Sequence, residues 1–218
     1  MADNDHCYQL PAAGESFRAE IEIKRSRFIG IIERVSDDEQ ARDFIDRVRA
    51  EFPDARHHCS AYLYRVEQAN PVERSSDDGE PGGTAGKPIL DVVHGSGMQD
   101  LACVVVRYFG GIKLGAGGLV HAYSQTAGLA VEQVQRRWRC LRNLYTVSFS
   151  HADAQKYEAE LRAKNITITD TEYGADVTYT LAVDPDGVEQ LESQLAALTS
   201  GAAQLAEAGT AWVEKAVD

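Results

Sequence analysis

The spacing of apolar residues predicts strands and helices in the first half of the chain. Isoleucines alternate with charged residues over 18–35 around a polar KRSR turn, which indicates two strands. Ser36 and Glu39 have the spacing of a capping box, and the apolar residues after them recur on one helical face. A third strand is predicted at 59–66, and the unbroken apolar run LACVVV at 101–106 indicates a strand buried on both faces.

A long loop and two helices are predicted in the middle of the chain. Pro and Gly are concentrated in 67–88, which indicates the loop, and a short helix is expected at 89–97. Apolar residues then recur at helical spacing over 119–134. This second helix is expected to end in the basic segment QRRWRCLRN at 135–143, because positive charge there complements the helix dipole.

The hydrophobic pattern restarts at residue 144 in the order strand, helix, strand, strand, helix, strand. That order is typical of a ferredoxin-like sandwich. The predicted fold class is therefore α+β with two domains. The N-terminal domain is expected over 1–141 and the ferredoxin-like C-terminal domain over 142–218.

Charge is unevenly distributed along the chain, which limits where a polyanion could bind. The net charge is −12; residues 151–218 carry 13 acidic side chains against 4 basic ones, and residues 1–150 carry 21 against 18. Any nucleic acid is therefore expected to contact the first 150 residues. The acidic, polar N-terminus and the lack of an apolar run of roughly 20 residues predict a cytoplasmic protein without membrane association. The four cysteines form no CxxC pair, so four free thiols are expected.

A glycine-rich stretch directly after the buried strand is the first candidate site. Five of the nine residues 110–118 are glycine. A strand, a glycine loop and a helix in succession can aim backbone N–H groups at an anion. The Walker pattern fails because Ala116 and Gly117 replace its Lys and Ser/Thr, and the dinucleotide fingerprint fails because Val120 replaces its third glycine. A generic anion loop and a tight turn with close helix–strand packing both remain open. The predicted anion-binding residues are Arg107, Gly110, Gly111, Gly115, Gly117, Gly118 and Lys87.

Two further clusters supply candidate pocket residues. Three carboxylates lie within residues 77–80, where they could bind Mg²⁺ or Ca²⁺, although Asx turns, a helix cap or a salt bridge to Arg107 explain them better. His57 and Cys59 share one face of a predicted strand and are the parts of a cysteine nucleophile, but a core pair would have the same pattern. No catalytic residue, metal or cofactor is assigned. The pocket candidates are His57, Cys59, Asp77, Asp78, Glu80 and Tyr108.

Four motifs occur in order along the first 140 residues: KRSRFIG (24–30), ARHHCSAY (55–62), DDGEPGGTAGKP (77–88) and VVVRYFGGIKLGAGGLVHAY (104–123). Together they are similar to the YigZ/IMPACT family, and the rest of the chain resembles the small ferredoxin-like C-terminal domain of bacterial members. The resemblance implies an N-terminal βαβ domain of the type shared by a ribosomal protein domain, elongation factor G domain IV and GHMP kinases. It also implies a C-terminal domain similar to the last domain of elongation factor G.

Three functional hypotheses follow. Eukaryotic relatives in the family regulate translation initiation during amino-acid starvation, so the resemblance implies a non-enzymatic role in translation through binding of RNA or the ribosome. A second hypothesis is an enzyme that uses the pocket candidates on a small phosphorylated or peptide-like substrate. A third is a regulator that binds a translation-related protein through the acidic residues 144–218. The basic residues that would support RNA binding are Lys24, Arg25, Arg27, Arg107 and Lys113.

Overall fold

The computed structural model describes residues 6–217, which form two compact units. Of the described residues, one unit comprises Tyr8–Trp138 with 216–217, and the other comprises Arg139–Lys215 with 6–7. Each unit combines a β-sheet with helices, so the predicted two-domain α+β class is confirmed. Within residues 6–217, none of the helices has the length and apolar character needed to cross a membrane.

The first unit is built on a five-stranded sheet with the order β2-β3-β6-β4-β5, and neighbouring strands are antiparallel. The central position of β6 explains its unbroken apolar run, because both faces of the strand are covered. The elements in chain order up to residue 133 are β1 (Cys7–Pro11), β2 (Ser16–Ile23), β3 (Ser26–Arg34), α1 (Asp38–Glu51), β4 (His57–Tyr64), β5 (Val72–Ser76), α2 (Gly86–Gly95), β6 (Leu101–Tyr108) and α3 (Gly115–Gln133).

Two hydrophobic cores lie on the two faces of this sheet. Cys103 and Val105 of β6 pack with α2 and α3 on one face, whereas Val104 and Val106 pack with α1 on the other. Because side chains alternate along a strand, Arg107 continues the face that carries α2 and α3. The sheet register therefore decides that Arg107 and α3 lie on the same side.

The second unit contains a sheet in which β7 and β8 flank β9, and β10 also pairs with β7. The β7–β9 and β8–β9 pairs are antiparallel. Apolar side chains from β7, β9, α4 and α5 form its core. The predicted order of elements after residue 144 is present. These elements are β7 (Arg136–Phe149), α4 (Ala154–Ala163), β8 (Thr167–Tyr173), β9 (Val177–Val183), α5 (Val188–Thr199) and β10 (Ala206–Ala216).

Several predictions of local structure were wrong. The N-cap of α1 is Asp37, not Ser36, because the Asp37 carboxylate accepts a hydrogen bond from the Gln40 backbone N–H at 2.8 Å. The basic segment at 135–143 belongs to β7, so the helix before it ends earlier than expected. The predicted long loop contains β5, which was missed because it is an exposed, charged edge strand.

The prediction of four free thiols was also wrong. A disulfide joins Cys7 to Cys140, and the sequence separation of 133 residues gave no signal for this pairing. Cys59 and Cys103 are free and buried, as expected of small core residues.

Candidate functional site

A cleft of about 410 Å³ lies in the first unit. It is lined by residues from the start of β4, the loop before α2, the end of β6 and the first turn of α3. His57 of β4 and Arg107 of β6 are register partners in the sheet, which places these two strand ends side by side. Three sequence motifs separated by more than 20 residues therefore supply the walls of one cleft.

A buried ion pair forms one wall. The Arg107 Nη1 donates a hydrogen bond to Glu80 Oε1 at 2.6 Å, and the Tyr123 hydroxyl donates to the same oxygen at 2.8 Å. Arg107 is 6% exposed and Glu80 is 9% exposed. His57 lies at the edge of this network, with its Nε2 3.9 Å from Glu80 Oε1. The expected salt bridge from the acidic loop to Arg107 is made by Glu80.

Asp77 and Asp78 do not form the expected salt bridge to Arg107, because their carboxylates are bound elsewhere. The Asp77 carboxylate accepts three backbone hydrogen bonds around the start of α2. Burial raises the pKa of Asp77, but these hydrogen bonds outweigh it and hold the pKa below its ordinary value. Asp78 accepts hydrogen bonds from the His58 N–H at 2.6 Å and from Arg49 at 3.0 Å. The donors to Asp77 are the backbone N–H groups of Gly83, Ala85 and Gly86.

The three carboxylates of the loop therefore have different sets of partners and do not converge on one point. Across the described residues 6–217, no group of three or more His, Cys, Asp or Glu side chains is arranged to bind a metal ion. Asp77 stabilises the start of α2, Asp78 ties the loop to α1 and β4, and Glu80 reaches the cleft.

Cys59 lies beside the network as a buried thiol. Its Sγ lies 3.0 Å from the Asp77 carbonyl oxygen and 3.3 Å from the Tyr123 hydroxyl, and its single S–H can donate to either oxygen. Burial, as the main cause, raises the pKa of Cys59 to about 12. A thiol with that pKa is protonated at neutral pH, whereas the thiolate is the nucleophile in cysteine chemistry. The geometry therefore favours a packing role for Cys59.

The glycines of 110–118 have different structural roles. A Cβ on Gly110 would lie 2.0 Å from the Arg25 carbonyl carbon and oxygen, so only glycine fits against that turn. Gly115 lines the cleft, and its φ of +73° favours glycine. Gly117 and Gly118 lie in the first turn of α3, which begins four residues before the predicted start at Leu119. Close packing is thus the reason for the glycine at 110, and Gly115 is the one glycine of 110–118 that lines the cleft.

The turn that packs on Gly110 is basic and has an unusual backbone. Lys24 and Arg25 connect β2 to β3, both are exposed, and both have positive φ values, 48° and 65°. Ser26 anchors the turn, because its hydroxyl accepts a hydrogen bond from the Gly110 N–H at 3.2 Å. Arg27 pairs with Glu20 and does not extend towards Gly110.

Lys87 and Tyr108 are among the predicted site residues that do not line the cleft. Lys87 is on α2 and forms an ion pair with Asp91. Tyr108 packs with the core on the α1 face of the sheet, and the Arg27 guanidinium lies 5.6 Å from its ring centroid. Tyr108 directly follows Arg107 on β6, so the alternation of side chains puts it on the opposite face of the sheet. The position of Lys87 on α2 could not be read from the sequence spacing.

Arg56 and Tyr123 were missed by the sequence analysis. Arg56 lines the cleft immediately before His57, and Tyr123 supplies a hydroxyl to Glu80 from the apolar face of α3. A signal existed for each of them. Arg56 adjoins a predicted pocket residue, and a tyrosine on an apolar helix stripe needs a hydrogen-bond partner for its hydroxyl.

Comparison with known proteins identifies the chain's relatives. A model of the Impact N-terminal domain matches residues 24–131, and a model of a domain of unknown function, DUF1949, matches residues 147–202. IMPACT family member YvyE of Bacillus subtilis (strain 168) is 34% identical over 97% of this chain and 95% of its own length. The chain belongs to the IMPACT family. A second IMPACT family member, YigZ of Escherichia coli (strain K12), is 39% identical over 84% of this chain and 90% of its own length.

A solved structure described as a hypothetical protein has the same overall fold as this IMPACT-family chain. It is 38% identical, with a TM-score of 0.60, and the match covers 92% of this chain and 96% of the other. The family resemblance predicted from the four sequence motifs is therefore confirmed, and it extends over both units.

Proposed function

We propose that this chain is a non-enzymatic, cytoplasmic translation regulator that binds RNA or the ribosome. In this proposal the start of α3, at the end of the glycine-rich stretch 110–118, holds an anion such as a phosphate. Membership of the IMPACT family supports the link to translation. The proposed anion site rests on a single observation, the cleft between the uncapped N-terminus of α3 and Arg107.

The N-terminus of α3 supports anion binding through its exposed N–H groups. The helix spans Gly115–Gln133, its N-cap residue Leu114 makes no side-chain capping hydrogen bond, and its first turn contains no acidic residue. The first four N–H groups of a helix have no partner within the helix, and the helix dipole adds partial positive charge there. Arg56 and Lys113 contribute two more positive charges to the lining.

The topology of the two units supports the detailed fold assignment that we propose. With β10 paired to β7, the strand order of the second unit reads β10-β7-β9-β8, and two helices connect the strands. This order fits a ferredoxin-like sandwich over 142–218, similar to the last domain of elongation factor G. Residues 1–141 would then form the IMPACT-type domain that resembles elongation factor G domain IV.

Fluorescence anisotropy with labelled single-stranded RNA tests RNA binding. We expect the affinity to fall steeply with salt, because each neutralised phosphate releases counterions. The double variant Arg56→Ala/Lys113→Ala should reduce the slope of log affinity against log salt by about 1.4, since each lost contact to single-stranded RNA contributes about 0.7.

The matched control is Lys156→Ala/Lys164→Ala, which removes two exposed lysines from the second unit. It should leave the slope unchanged if the first unit binds the RNA. Absence of binding at micromolar RNA and low salt would refute the RNA-binding proposal. In that case pull-down of a protein partner that survives nuclease treatment would support the protein-binding hypothesis.

A further inference from the structure

We infer that the ligand of the cleft is a nucleoside phosphate, with its phosphate at the start of α3 and its base against Phe109. This inference rests on the proposed anion site and adds the chemical class of the ligand. The shared chemistry is a nucleoside 5′-phosphate, which occurs both as a free mononucleotide and as the end of an RNA strand.

A buried, incompletely bonded arginine is the first observation, and it is independent of the helix terminus. Arg107 is 6% exposed and lines the cleft. Its Nη1 is bound to Glu80, but its Nε has no hydrogen-bond partner among residues 6–217. Buried donors without a partner are rare in native proteins and call for an explanation. An oxygen of a bound anion would satisfy this donor.

The balance of charge in the cleft favours a phosphate over a singly charged carboxylate. Glu80 is the only acidic residue of the lining, and Arg107 already neutralises it. Arg56 and Lys113 are exposed and form no ion pair in the part of the chain that the structure describes. These two unbalanced positive charges, together with the helix N-terminus, match the double charge of a phosphate monoester.

The apolar part of the cleft indicates that the ligand is larger than a phosphate ion. Phe109, which lines the cleft together with Leu114 and Leu119, is 46% exposed although it directly follows the central strand. The Arg107 guanidinium lies 5.6 Å from the Phe109 ring centroid, which holds the ring beside the proposed phosphate position. An exposed aromatic ring next to an anion site is the arrangement that stacks a nucleotide base.

The size of the cleft fits this ligand. Its volume of about 410 Å³ lies within the range of small-molecule sites, roughly 300–1,000 Å³. A phosphate alone would leave most of that volume to water, whereas a mononucleotide would contact both the polar and the apolar wall.

Isothermal titration calorimetry of the full chain tests the inference with six ligands. These are adenosine and uridine 5′-monophosphates, adenosine, inorganic phosphate, and a short single-stranded RNA with either a 5′-phosphate or a 5′-hydroxyl. We expect the monophosphates to bind at least tenfold more tightly than adenosine or inorganic phosphate. If RNA ends occupy the cleft, the 5′-phosphorylated RNA should bind at least tenfold more tightly than the 5′-hydroxyl form.

Phe109→Leu removes the flat ring and keeps an apolar side chain. It should weaken monophosphate binding roughly tenfold, because base stacking on an aromatic ring is lost, and should leave inorganic phosphate binding unchanged. Tyr173→Leu is the matched control, since Tyr173 is the most exposed aromatic residue of the second unit at 77%. It should change neither affinity, and thermal melting checks that both variants are folded.

The failures of the two proposals are distinguishable. Monophosphates that bind no better than inorganic phosphate, or equally well to Phe109→Leu, would overturn the inference even if RNA binds in a salt-dependent way. Conversely, Phe109-dependent binding of monophosphates without RNA binding would support the inference and refute the RNA-binding function.

Discussion

Replacement of Lys24-Arg25 by Asn-Gly is expected to stabilise the protein. Ile23 and Ser26 are paired across the β2–β3 hairpin, so Lys24 and Arg25 form a two-residue turn in which both φ values are positive. Such a turn favours Asn-Gly, because a residue with a Cβ in the left-handed region costs about 1–2 kcal/mol. Glycine at position 25 removes that cost, and Asn at position 24 removes only part of it because Asn keeps a Cβ. Less about 1 kcal/mol for the added freedom of glycine in the unfolded chain, the net gain is about 1 kcal/mol.

Urea denaturation followed by circular dichroism measures this gain as a higher midpoint at an unchanged slope. The matched control is Lys24→Ala/Arg25→Ala, which removes the same two charges and keeps the unfavourable backbone. If the alanine variant is stabilised as much as the Asn-Gly variant, or if neither is stabilised, the turn stores no backbone strain.

The Asn-Gly variant and the double alanine variant also test whether the backbone strain of the turn is connected with RNA binding. Lys24 and Arg25 are exposed at the tip that packs against Gly110, so their charges are available to RNA phosphates. Both double variants should therefore weaken RNA binding equally and reduce its salt slope by about 1.4. Strained conformations are retained where the surrounding structure enforces them, and they are concentrated at functional sites. A stabilised variant with undiminished RNA affinity would show that the strain has no connection with RNA binding.

Five other substitutions have defined outcomes. In urea denaturation, Gly110→Ala should lower the free energy of unfolding by about 3 kcal/mol, because its Cβ would lie 2.0 Å from backbone atoms. Gly128→Ala, which has open space around it in α3, should raise the free energy of unfolding by up to about 1 kcal/mol. The lowered pKa of Asp77 stabilises the fold above pH about 4, and this contribution is lost as the pH falls. The urea midpoint of Asp77→Asn should therefore change less than that of the wild type between about pH 6 and pH 3. Arg107→Met should cost about 3–5 kcal/mol in the same assay because it leaves a buried carboxylate without its cation. Cys140→Ser should cost about 2–5 kcal/mol, with no further loss on addition of reductant.

The sequence predicted those strands and helices whose burial follows from the local pattern of apolar residues. β6 was predicted because an unbroken apolar run needs cover on both faces, and the structure provides it. β5 was missed because Val72–Ser76 is an edge strand with a mostly exposed, charged sequence. The helical start at Gly115 was missed because glycine has low helix propensity, and the tertiary packing of α3 overrides that preference.

Part of the lining of the candidate site could be predicted from the sequence, whereas the pairing of its side chains could not. Arg107, Glu80 and His57 were all proposed from sequence, and the structure places all three in the lining of one cleft. The choice of Glu80 as the partner of Arg107 depends on how the loop before α2 turns. Asp78 and Gly79 both have positive φ, and Asp77 is engaged by backbone N–H groups at the start of α2. These constraints act through the folded loop and cannot be read from the spacing of the carboxylates.

The buried ion pair and the open cleft are parts of one arrangement. Burial of Arg107 with Glu80 gives little net stability, because desolvation offsets most of the attraction between the charges. The unpartnered Nε of Arg107 adds a cost of about 1–3 kcal/mol. What the pair does provide is a fixed orientation of the Arg107 guanidinium. Glu80 binds one end of it, and the ring centroids of Phe28 and Phe109 lie 5.4 Å and 5.6 Å from its central carbon. A rigid cation beside an uncapped helix start is pre-organised for an anion, so a bound anion that accepts a hydrogen bond from Nε would offset part of that cost.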